Sequence, residues 1–261
     1  MSDLLEALRR SGTSILAVFG LIVFWQAAVV VLQVPTWLLP SPSAIWLAFV
    51  KNSYLLGKHV MATGVGATGG LVIGAASGVA LAILMVHSRI LERVLMPLLV
   101  IDQSIPKLAL APIFVIWFGT GMMTRVFIAM VISFFPMVVN AIRGMTTVDP
   151  RVNDLMTTIF ASRWQILTKV RLPNAVPYLF SGLKIAVPLS IIGAVVAEFM
   201  QSDSGLGYVV LVAVGNVNTP MVFVAVVLMA LLSLSLFATI SVFEWLLMRA
   251  RFSYLAAESN R

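Results

Sequence analysis

Six long apolar runs, separated by short polar stretches, restrict what this chain of 261 residues can fold into. A bilayer core of about 30 Å is crossed by roughly 20 apolar residues in a helix. The runs span 15–32, 59–86, 94–118, 126–142, 178–200 and 221–248. Hydrophobic residues make up 61% of the chain and charged residues only 10%, which excludes a water-soluble globule. The sequence predicts an all-α membrane protein with about six transmembrane helices in a single transmembrane domain, 1–261.

The segment between the first two runs, PTWLLPSPSAIWLAFVKNSY, contains two close prolines that break a helix. Ser43 can cap a short amphipathic helix from Ala44 to about Asn52. We expect this helix to lie along the membrane surface, apart from the second span.

The distribution of Lys and Arg predicts the orientation, because loops on the cytoplasmic side are enriched in these residues. One face of the predicted bundle carries twelve of them: Arg9, Arg10, Arg89, Arg93, Arg143, Arg151, Arg163, Lys169, Arg171, Arg249, Arg251 and Arg261. The opposite face holds only Lys51, Lys58 and Arg125. Both termini, including an N-terminal segment 1–14, and the long loop 151–174 are therefore predicted to be cytoplasmic.

Composition also excludes several chemistries. There is no cysteine, so thiolate catalysis, disulfides and iron–sulfur clusters are ruled out. His59 and His87 are far apart at span ends, where solvated imidazoles are expected, so we predict neither a metal site nor catalytic residues. The net charge of +7 is scattered over helix ends, which fits topology and anionic lipid rather than nucleic acid.

Four glycines recur every fourth residue along the second run: Gly66, Gly70, Gly74 and Gly78. This stripe removes side chains from one helix face, so another helix can approach closely. The partner helix belongs either to the same chain or to a second copy. No GxxxxGK[ST] motif occurs, so the chain is not expected to bind ATP itself.

The third run contains polar and charged residues beside two prolines, Pro106 and Pro112, which predict kinks. An ionised group at mid-membrane costs about 3 kcal/mol, so these residues should face protein or water. The candidates for the translocation path are Asp102, Gln103, Ser104 and Lys107. The alternatives are that Asp102 and Lys107 pair with each other or with a neighbouring helix, or lie at the interface.

The fifth run carries Lys184 and Glu198, which are too far apart on one helix for a direct ion pair. Lys184 is expected to snorkel to the interface or contact the long loop. Glu198 approaches the outer end and is either a pathway or gating residue or has an interfacial or interhelical partner. The polar stretch 201–220 that follows predicts a gate-like periplasmic loop.

The long loop reads RVNDLMTTIFASRWQILTKVRLPN, and its spacing resembles the "EAA" loop of ABC importer permeases. Asp154 stands at the Glu position, Phe160 at the Gly position and Pro173 at the terminal Pro. The string Ala161, Ser162, Arg163, Trp164 and Gln165 is similar to the nitrate, sulfonate, taurine and pyrimidine-precursor branch. Because Gly permits a tight bend that Phe disfavours, Phe160 leaves the shape of the loop at this point open, but not its role.

The resemblance implies a type I importer permease in the bacterial inner membrane. Two permease copies would pair with two ABC ATPase subunits, which bind ATP and Mg²⁺, and a periplasmic binding protein would deliver the solute. The ATPase-coupling residues would be those of the loop: Asp154, Phe160, Ala161, Ser162, Arg163, Trp164 and Pro173. A small polar organic solute is expected, first a pyrimidine-type vitamin precursor and then an aliphatic sulfonate or taurine-like compound.

Two other functions stay open at this point. A secondary carrier or channel would use Asp102, Lys107 and Glu198 for ion coupling and needs no ATPase, although such folds usually contain internal repeats that we do not find. An intramembrane enzyme is the third possibility, but no HExxH or GxSxG constellation supports it.

Overall fold

The computed structural model describes the backbone of residues 2–200 and 203–258, and the side chains between residues 16 and 249 except Gln103, Asn153 and the pair 201–202. Regular structure in this part of the chain is helical, as predicted. The α-helices are α1 (Ser2–Val31), α2 (Pro42–His87), α3 (Arg89–Ser104), α4 (Ala111–Phe118), α5 (Met122–Thr146), α6 (Pro150–Thr158), α7 (Arg163–Ile166), α8 (Leu172–Phe199), α9 (Leu206–Gly215) and α10 (Thr219–Glu258). A 3₁₀ turn, Lys107–Leu110, precedes α4, and a π-helical turn, Leu167–Arg171, joins α7 to α8.

Four helices in the described part of the chain are long and apolar enough to cross a bilayer. They are α2, α5, the continuous helix Arg163–Phe199 and the Thr219–Arg249 part of α10. The pair α3 and α4 makes a fifth candidate that is bent by 82°. The apolar part of α1, Leu16–Val31, is shorter. The predicted count of about six is therefore compatible with the structure, although two of the six spans are short or broken.

The prediction of a separate surface helix before the second span is wrong. Residues 42–87 form one continuous helix of 46 residues, because no proline lies between Pro42 and His87, and because Gly57, at the predicted junction, is tolerated. Ser41, rather than Ser43, caps this helix by accepting a hydrogen bond from the Ala44 N–H, and Pro42 takes the first helical position. Ser43 instead joins α2 to α1, since its N–H and hydroxyl contact the Gln26 amide at 3.1 and 3.2 Å.

The third predicted span is broken rather than kinked. α3 ends at Ser104, before Pro106. Pro106 has no N–H to donate and its ring would collide with the preceding turn, so it does not fit a helix interior. After the 3₁₀ turn, Pro112 lies in the first turn of α4, where a missing N–H removes no intrahelical hydrogen bond. Pro106 therefore separates the two helices at a sharp bend, and Pro112 marks the start of the second one.

The centre of the bundle is α5, which packs between α2 and α8. The glycine stripe of α2 meets α5 of the same chain: a Cβ on Gly70 would lie 2.6 Å from the Val126 carbonyl oxygen, and one on Gly74 would lie 2.7 Å from that of Met130. On its other side, a Cβ on Gly193 of α8 would lie 2.7 Å from the Ala129 Cα. Small residues on both neighbours thus let the backbones touch, which supplies the dispersion contacts that hold helices together in lipid.

Gly66 and Gly78, the outer members of the stripe, also face α5. A Cβ on Gly66 would lie 3.0 Å from the Arg125 Cβ, and one on Gly78 would lie 2.9 Å from the Phe134 carbonyl oxygen. α10 covers the faces of α2, α8 and α9 that α5 leaves free. The core of the described bundle therefore consists of α2, α5 and α8, with α9 and α10 packed beside it.

Candidate functional site

The predicted docking loop begins with α6, whose start is defined by Asp149. The Asp149 side chain accepts a hydrogen bond from the Arg151 N–H at 2.8 Å, and Pro150 is the first helical residue. Asp154 therefore lies beyond the first turn of α6, where it does not complement the positive end of the helix dipole. The Asp154 side chain is exposed, and its carbonyl accepts a hydrogen bond from the Thr158 hydroxyl.

α6 ends in a Schellman motif centred on Phe160. The Phe160 N–H bonds to the Thr157 carbonyl at 3.0 Å, and the Ala161 N–H bonds to the Met156 carbonyl at 2.9 Å. Phe160 has φ +54°, the left-handed conformation that this position requires and that Gly adopts without strain. The bend therefore forms with Phe in place of Gly, at the cost of backbone strain.

The string Ser162 to Gln165 forms the start of the next helix. The Ser162 hydroxyl accepts a hydrogen bond from the Gln165 N–H at 3.2 Å, and the Gln165 side chain accepts one from the Ser162 N–H at 2.7 Å. This reciprocal capping box satisfies two N–H groups at the helix start. Because the chain turns at Phe160, Thr157 and Trp164 lie on different helices and do not share one helix face.

α7 runs into α8 through the π-helical turn, so the loop is built into the base of a membrane span. Pro173 lies in the first turn of α8, and Pro177 lies inside that helix. Neither proline ends the helix. Pro173 has no N–H to donate, and the wider π turn just before it accommodates the missing hydrogen bond. A displacement of α7 would therefore pass directly into α8.

The α6–α7 segment, defined as residues 150–171, exposes large apolar side chains. Phe160 is 95% exposed, Trp164 is 65% exposed, and Leu155 and Ile159 are about as exposed as Trp164. Arg163 and Ser162 are exposed beside them, and Ala161 is half-buried. An apolar group rimmed by charge is typical of a surface that another protein covers.

At the opposite end of the described fold, three consecutive N–H groups at the start of α9 are each bonded by a different side chain. The Gly205 N–H donates to His59 Nδ1 at 3.1 Å, and the Leu206 N–H donates to Thr63 Oγ1 at 2.8 Å. The Gly207 N–H donates to Glu198 Oε2 at 2.7 Å. Together with Arg125, these three side chains form what we call the α9 clamp: His59, Thr63, Arg125 and Glu198.

The members of the α9 clamp also contact one another. The Thr63 hydroxyl lies 2.8 and 3.1 Å from the two Glu198 oxygens, and both residues are fully buried. Arg125 Nε lies 3.9 Å from Glu198 Oε1, and Arg125 Nη2 donates to the Ser204 carbonyl and hydroxyl at 2.9 Å. A buried carboxylate is tolerated here because a guanidinium, a hydroxyl and an N–H group surround it.

Two glycines make room for the Glu198 carboxylate. A Cβ on Gly205, which has φ +107°, would collide with the Glu198 carboxyl group, and a Cβ on Gly207 would lie 2.8 Å from the Glu198 Cβ. His59 also stacks on Tyr208 of α9, with ring centroids 5.7 Å apart. Helix α9 is therefore fastened to α2, α5 and α8 by groups with little freedom to adjust.

The path candidates of the third span lie apart from the clamp. Lys107 Nζ is 2.6 Å from Asp102 Oδ2, so the two ions pair with each other across the break between α3 and the 3₁₀ turn. The Ser104 side chain is exposed, and the Gln103 side chain lies outside the described residues. In the described part of the chain, the ion pair of Lys107 is with Asp102, whereas that of Glu198 is with Arg125.

Lys184 pairs with Glu244 of α10 at 2.5 Å and lies over the Phe237 ring. Lys184 is predicted to snorkel or to contact the loop. In the structure its ammonium group instead bonds to a carboxylate on the neighbouring helix α10.

The sequence reading missed three members of the clamp. Arg125 was assigned to an outer loop but is 3% exposed, and His59 was expected to be solvated but bonds to Gly205. Thr63 was not singled out. The run SGLGY after Glu198 could have indicated the clamp from the sequence. Two glycines that closely follow a carboxylate within a span allow the backbone to approach that carboxylate.

Comparison with known proteins agrees with this arrangement. Residues 70–246 match the family described as the binding-protein-dependent transport system inner membrane component. The riboflavin transport system permease protein RibX of Chloroflexus aurantiacus is 36% identical, over 88% of this chain and 86% of that protein. The formylaminopyrimidine transport permease protein ThiX of Halalkalibacterium halodurans is 34% identical, over 87% and 91%.

The putative aliphatic sulfonates transport permease protein SsuC of Bacillus subtilis is 30% identical, over 90% of this chain and 86% of that protein. The family match covers well over half of the chain, and these relatives cover nearly all of it. This chain therefore belongs to the family of inner-membrane components of binding-protein-dependent transport systems, the permeases of ABC importers.

Proposed function

We propose that this chain takes a small polar organic solute from a periplasmic binding protein and passes it into the cytoplasm, driven by separate ABC ATPase subunits. Family membership supports an importer permease over the secondary carrier and the intramembrane enzyme. The observation that carries the proposal is the exposed apolar and basic surface of the α6–α7 segment, which continues into a membrane span.

The ATPase would dock on the α6–α7 segment. Phe160 and Trp164 supply large rings that lose water on binding, and Arg163 can pair with an acidic group or a carbonyl. Because α7 is continuous with α8, closure of an ATPase dimer would move α8 directly. Two permease copies with two ATPases would let this motion open the pathway to one side and then to the other.

At the periplasmic end, we propose that α9 moves together with α2 and α8. Freeing α9 would leave three N–H groups without their acceptors and would remove one hydrogen-bond donor from the buried Glu198 carboxylate. Each buried unpaired group costs about 1–3 kcal/mol, and charged groups cost more. The gate-like stretch 201–220 is therefore expected to shift as part of the bundle rather than swing as a loose loop.

For the orientation, we propose cytoplasmic termini. The bias of Lys and Arg toward the loop 151–174 side supports this orientation, since the opposite side carries only Lys51, Lys58 and Arg125. A reporter that is active only in the periplasm, fused after residue 217, should be active, whereas one fused after residue 148 should be inactive. The reverse pattern would contradict this orientation.

For the solute, we propose a heteroaromatic vitamin or pyrimidine-type vitamin precursor ahead of an aliphatic sulfonate. The relatives named for riboflavin and formylaminopyrimidine are 36% and 34% identical, against 30% for the sulfonate relative. The test is a panel of riboflavin, formylaminopyrimidine, ethanesulfonate and taurine against the binding protein encoded beside this chain. Stabilisation by one of the two ring compounds is expected, and a response to sulfonates alone would contradict the assignment.

The experiment for the proposed function is co-purification of the tagged chain with the ATPase encoded beside it, followed by ATP hydrolysis in lipid. A stoichiometric complex whose hydrolysis rises with loaded binding protein is expected. Arg163→Glu and Trp164→Ala should abolish this rise without unfolding the chain, while Trp117→Ala, at an equally exposed tryptophan in α4, should keep it. Solute transport by the chain without any ATPase would contradict the proposal.

A further inference from the structure

An open cavity of about 700 Å³ lies where the end of α2, the start of α3 and the α7 region meet. Its basic lining residues include Arg89, Arg163 and Arg171, and its apolar ones include Val86, Ile90 and Leu167. Small-molecule sites typically span about 300–1,000 Å³, so the cavity is large enough for a polar headgroup with part of an apolar chain.

The cavity concentrates positive charge without a matching carboxylate. Of the ion pairs within 4 Å in the described part of the chain, none involves Arg89, Arg163 or Arg171. Arg171 donates to the Val86 carbonyl at 3.3 Å, which holds its guanidinium at the cavity wall. Three guanidinium groups facing one space repel each other unless an anion lies between them.

Arg89 adds a second unfavourable feature. It is the first residue of α3, a helix of 16 residues whose N-terminus already carries partial positive charge. Glu92, in the first turn, partly offsets that charge but lies beyond 4 Å of the arginines. A cation at this end of a helix is favourable when an anion binds the same place, as phosphates do at helix N-termini.

The apolar side of the cavity distinguishes among anions. Val86 is in the last turn of α2, a helix long and apolar enough to cross a bilayer, and the residues just after it include Arg89 and Arg93, as is common beside an anionic membrane surface. A free anion or a purely acidic peptide gains nothing from contact with Val86, Ile90 and Leu167. A phospholipid can place its phosphate against the arginines and its acyl chain against these apolar side chains.

We propose that this cavity binds the phosphate of an anionic phospholipid, with Arg89 and Arg171 as its main ligands. Guanidinium groups suit this role because their planar donors match phosphate oxygens in pairs. Arg163 also belongs to the proposed ATPase-docking surface, so the phosphate is assigned to Arg89 and Arg171, and the test is made on the chain without the ATPase.

The test uses the purified full chain in a neutral detergent and follows thermal unfolding by tryptophan fluorescence. Phosphatidylglycerol, phosphatidylcholine and inorganic phosphate are titrated separately. Phosphatidylglycerol should raise the unfolding midpoint and the other two should not. Arg89→Gln should weaken the apparent affinity for phosphatidylglycerol about fivefold, as expected for one lost arginine near an anionic headgroup.

Arg93→Gln is the matched control, because it removes the same charge one turn along α3 but does not line the cavity. Its affinity should stay within about twofold of the parent. Arg89→Lys, which keeps the charge, should lose less affinity than Arg89→Gln and provides the comparison if Arg89→Gln does not fold.

Equal responses to the two lipids, or equal losses in Arg93→Gln and Arg89→Gln, would overturn the proposal. Full stabilisation by inorganic phosphate would assign the cavity to a free anion instead. An effect of Arg89→Gln that appears only when the ATPase subunit is present would assign it to the protein partner.

Discussion

The α9 clamp and the α6–α7 segment both concentrate polar and charged groups, but they satisfy them in opposite ways. In the clamp, Glu198 and Thr63 are fully buried and their bonds lie within the chain. In the α6–α7 segment, Phe160 and Trp164 are exposed and only the helix ends are satisfied internally. One region therefore holds the bundle together, while the other exposes an apolar surface that we propose the ATPase covers.

The two regions are linked through α8. The π turn and α8 join the base of the α6–α7 segment to Glu198 near the other end of the same helix. A force applied at Trp164 therefore reaches α9 through one continuous helix and one buried carboxylate. Four predictions separate the stabilising role of the clamp from the docking role of the segment.

The largest effect is expected for Glu198→Ala. This change leaves Arg125 without its buried counter-charge and the Gly207 N–H without an acceptor, which should lower the free energy of unfolding by about 3–5 kcal/mol. Denaturant unfolding in detergent measures this loss. Asp203→Ala is the control, because Asp203 also approaches Arg125 but is 97% exposed, and its stability should be close to the parent's.

If Asp203→Ala destabilises as strongly as Glu198→Ala, the buried carboxylate is not what fastens α9, and the contrast between the two regions fails.

Trp164→Ala is expected to have the next largest effect, and only on binding. Loss of an interface tryptophan typically costs at least 2 kcal/mol, which corresponds to about thirtyfold weaker ATPase binding. The unfolding of the isolated chain should not change, since Trp164 is 65% exposed. Titration of the ATPase onto the immobilised chain measures the affinity; an unchanged value would remove Trp164 from the docking surface.

Thr63→Val tests the neutral part of the clamp. Valine keeps the shape but removes the acceptor of the Leu206 N–H and the donor to Glu198, so a loss of about 2 kcal/mol in stability is expected. Thr239→Val is the control, because the Thr239 hydroxyl bonds only within its own exposed helix turn. Equal stability of both variants would show that the buried hydroxyl does not hold α9.

The smallest effect separates the backbone of Phe160 from its ring. Phe160→Gly should relieve about 1 kcal/mol of left-handed strain, whereas Phe160→Ala keeps that strain. Both remove the ring, so both should weaken ATPase binding, while only Phe160→Gly should slow amide hydrogen exchange at the end of α6. Faster exchange in Phe160→Gly would contradict the Schellman geometry as the source of strain.

The spans and the docking loop are predictable because they depend on local signals. Apolar runs identify the long helices, and Pro106 predicts a disturbed third span. The Ser162 to Gln165 capping box is also readable as S-x-x-Q. The clamp is not local: Thr63 and Glu198 are 135 residues apart, and only tertiary packing brings them together.

At two positions the preference of a single residue does not decide the structure. Arg125, between two apolar runs, is predicted to lie in an outer loop, but it belongs to α5 and its guanidinium is buried against α8 and Ser204. Phe160 disfavours a left-handed backbone, yet the Schellman hydrogen bonds and the capping box hold the chain in that conformation. In both cases tertiary or multi-residue bonding outweighs the preference of one residue.

The most direct test of the docking role uses the fact that the chain has no cysteine. Single cysteines are introduced by Ile159→Cys in the α6–α7 segment and Lys58→Cys in α2, both at exposed positions. Maleimide labelling rates are then compared with and without the ATPase subunit. We expect at least tenfold slower labelling at residue 159 in the complex and no change at residue 58. A stoichiometric complex in which residue 159 labels as fast as in the isolated chain would contradict docking of the ATPase on the α6–α7 segment.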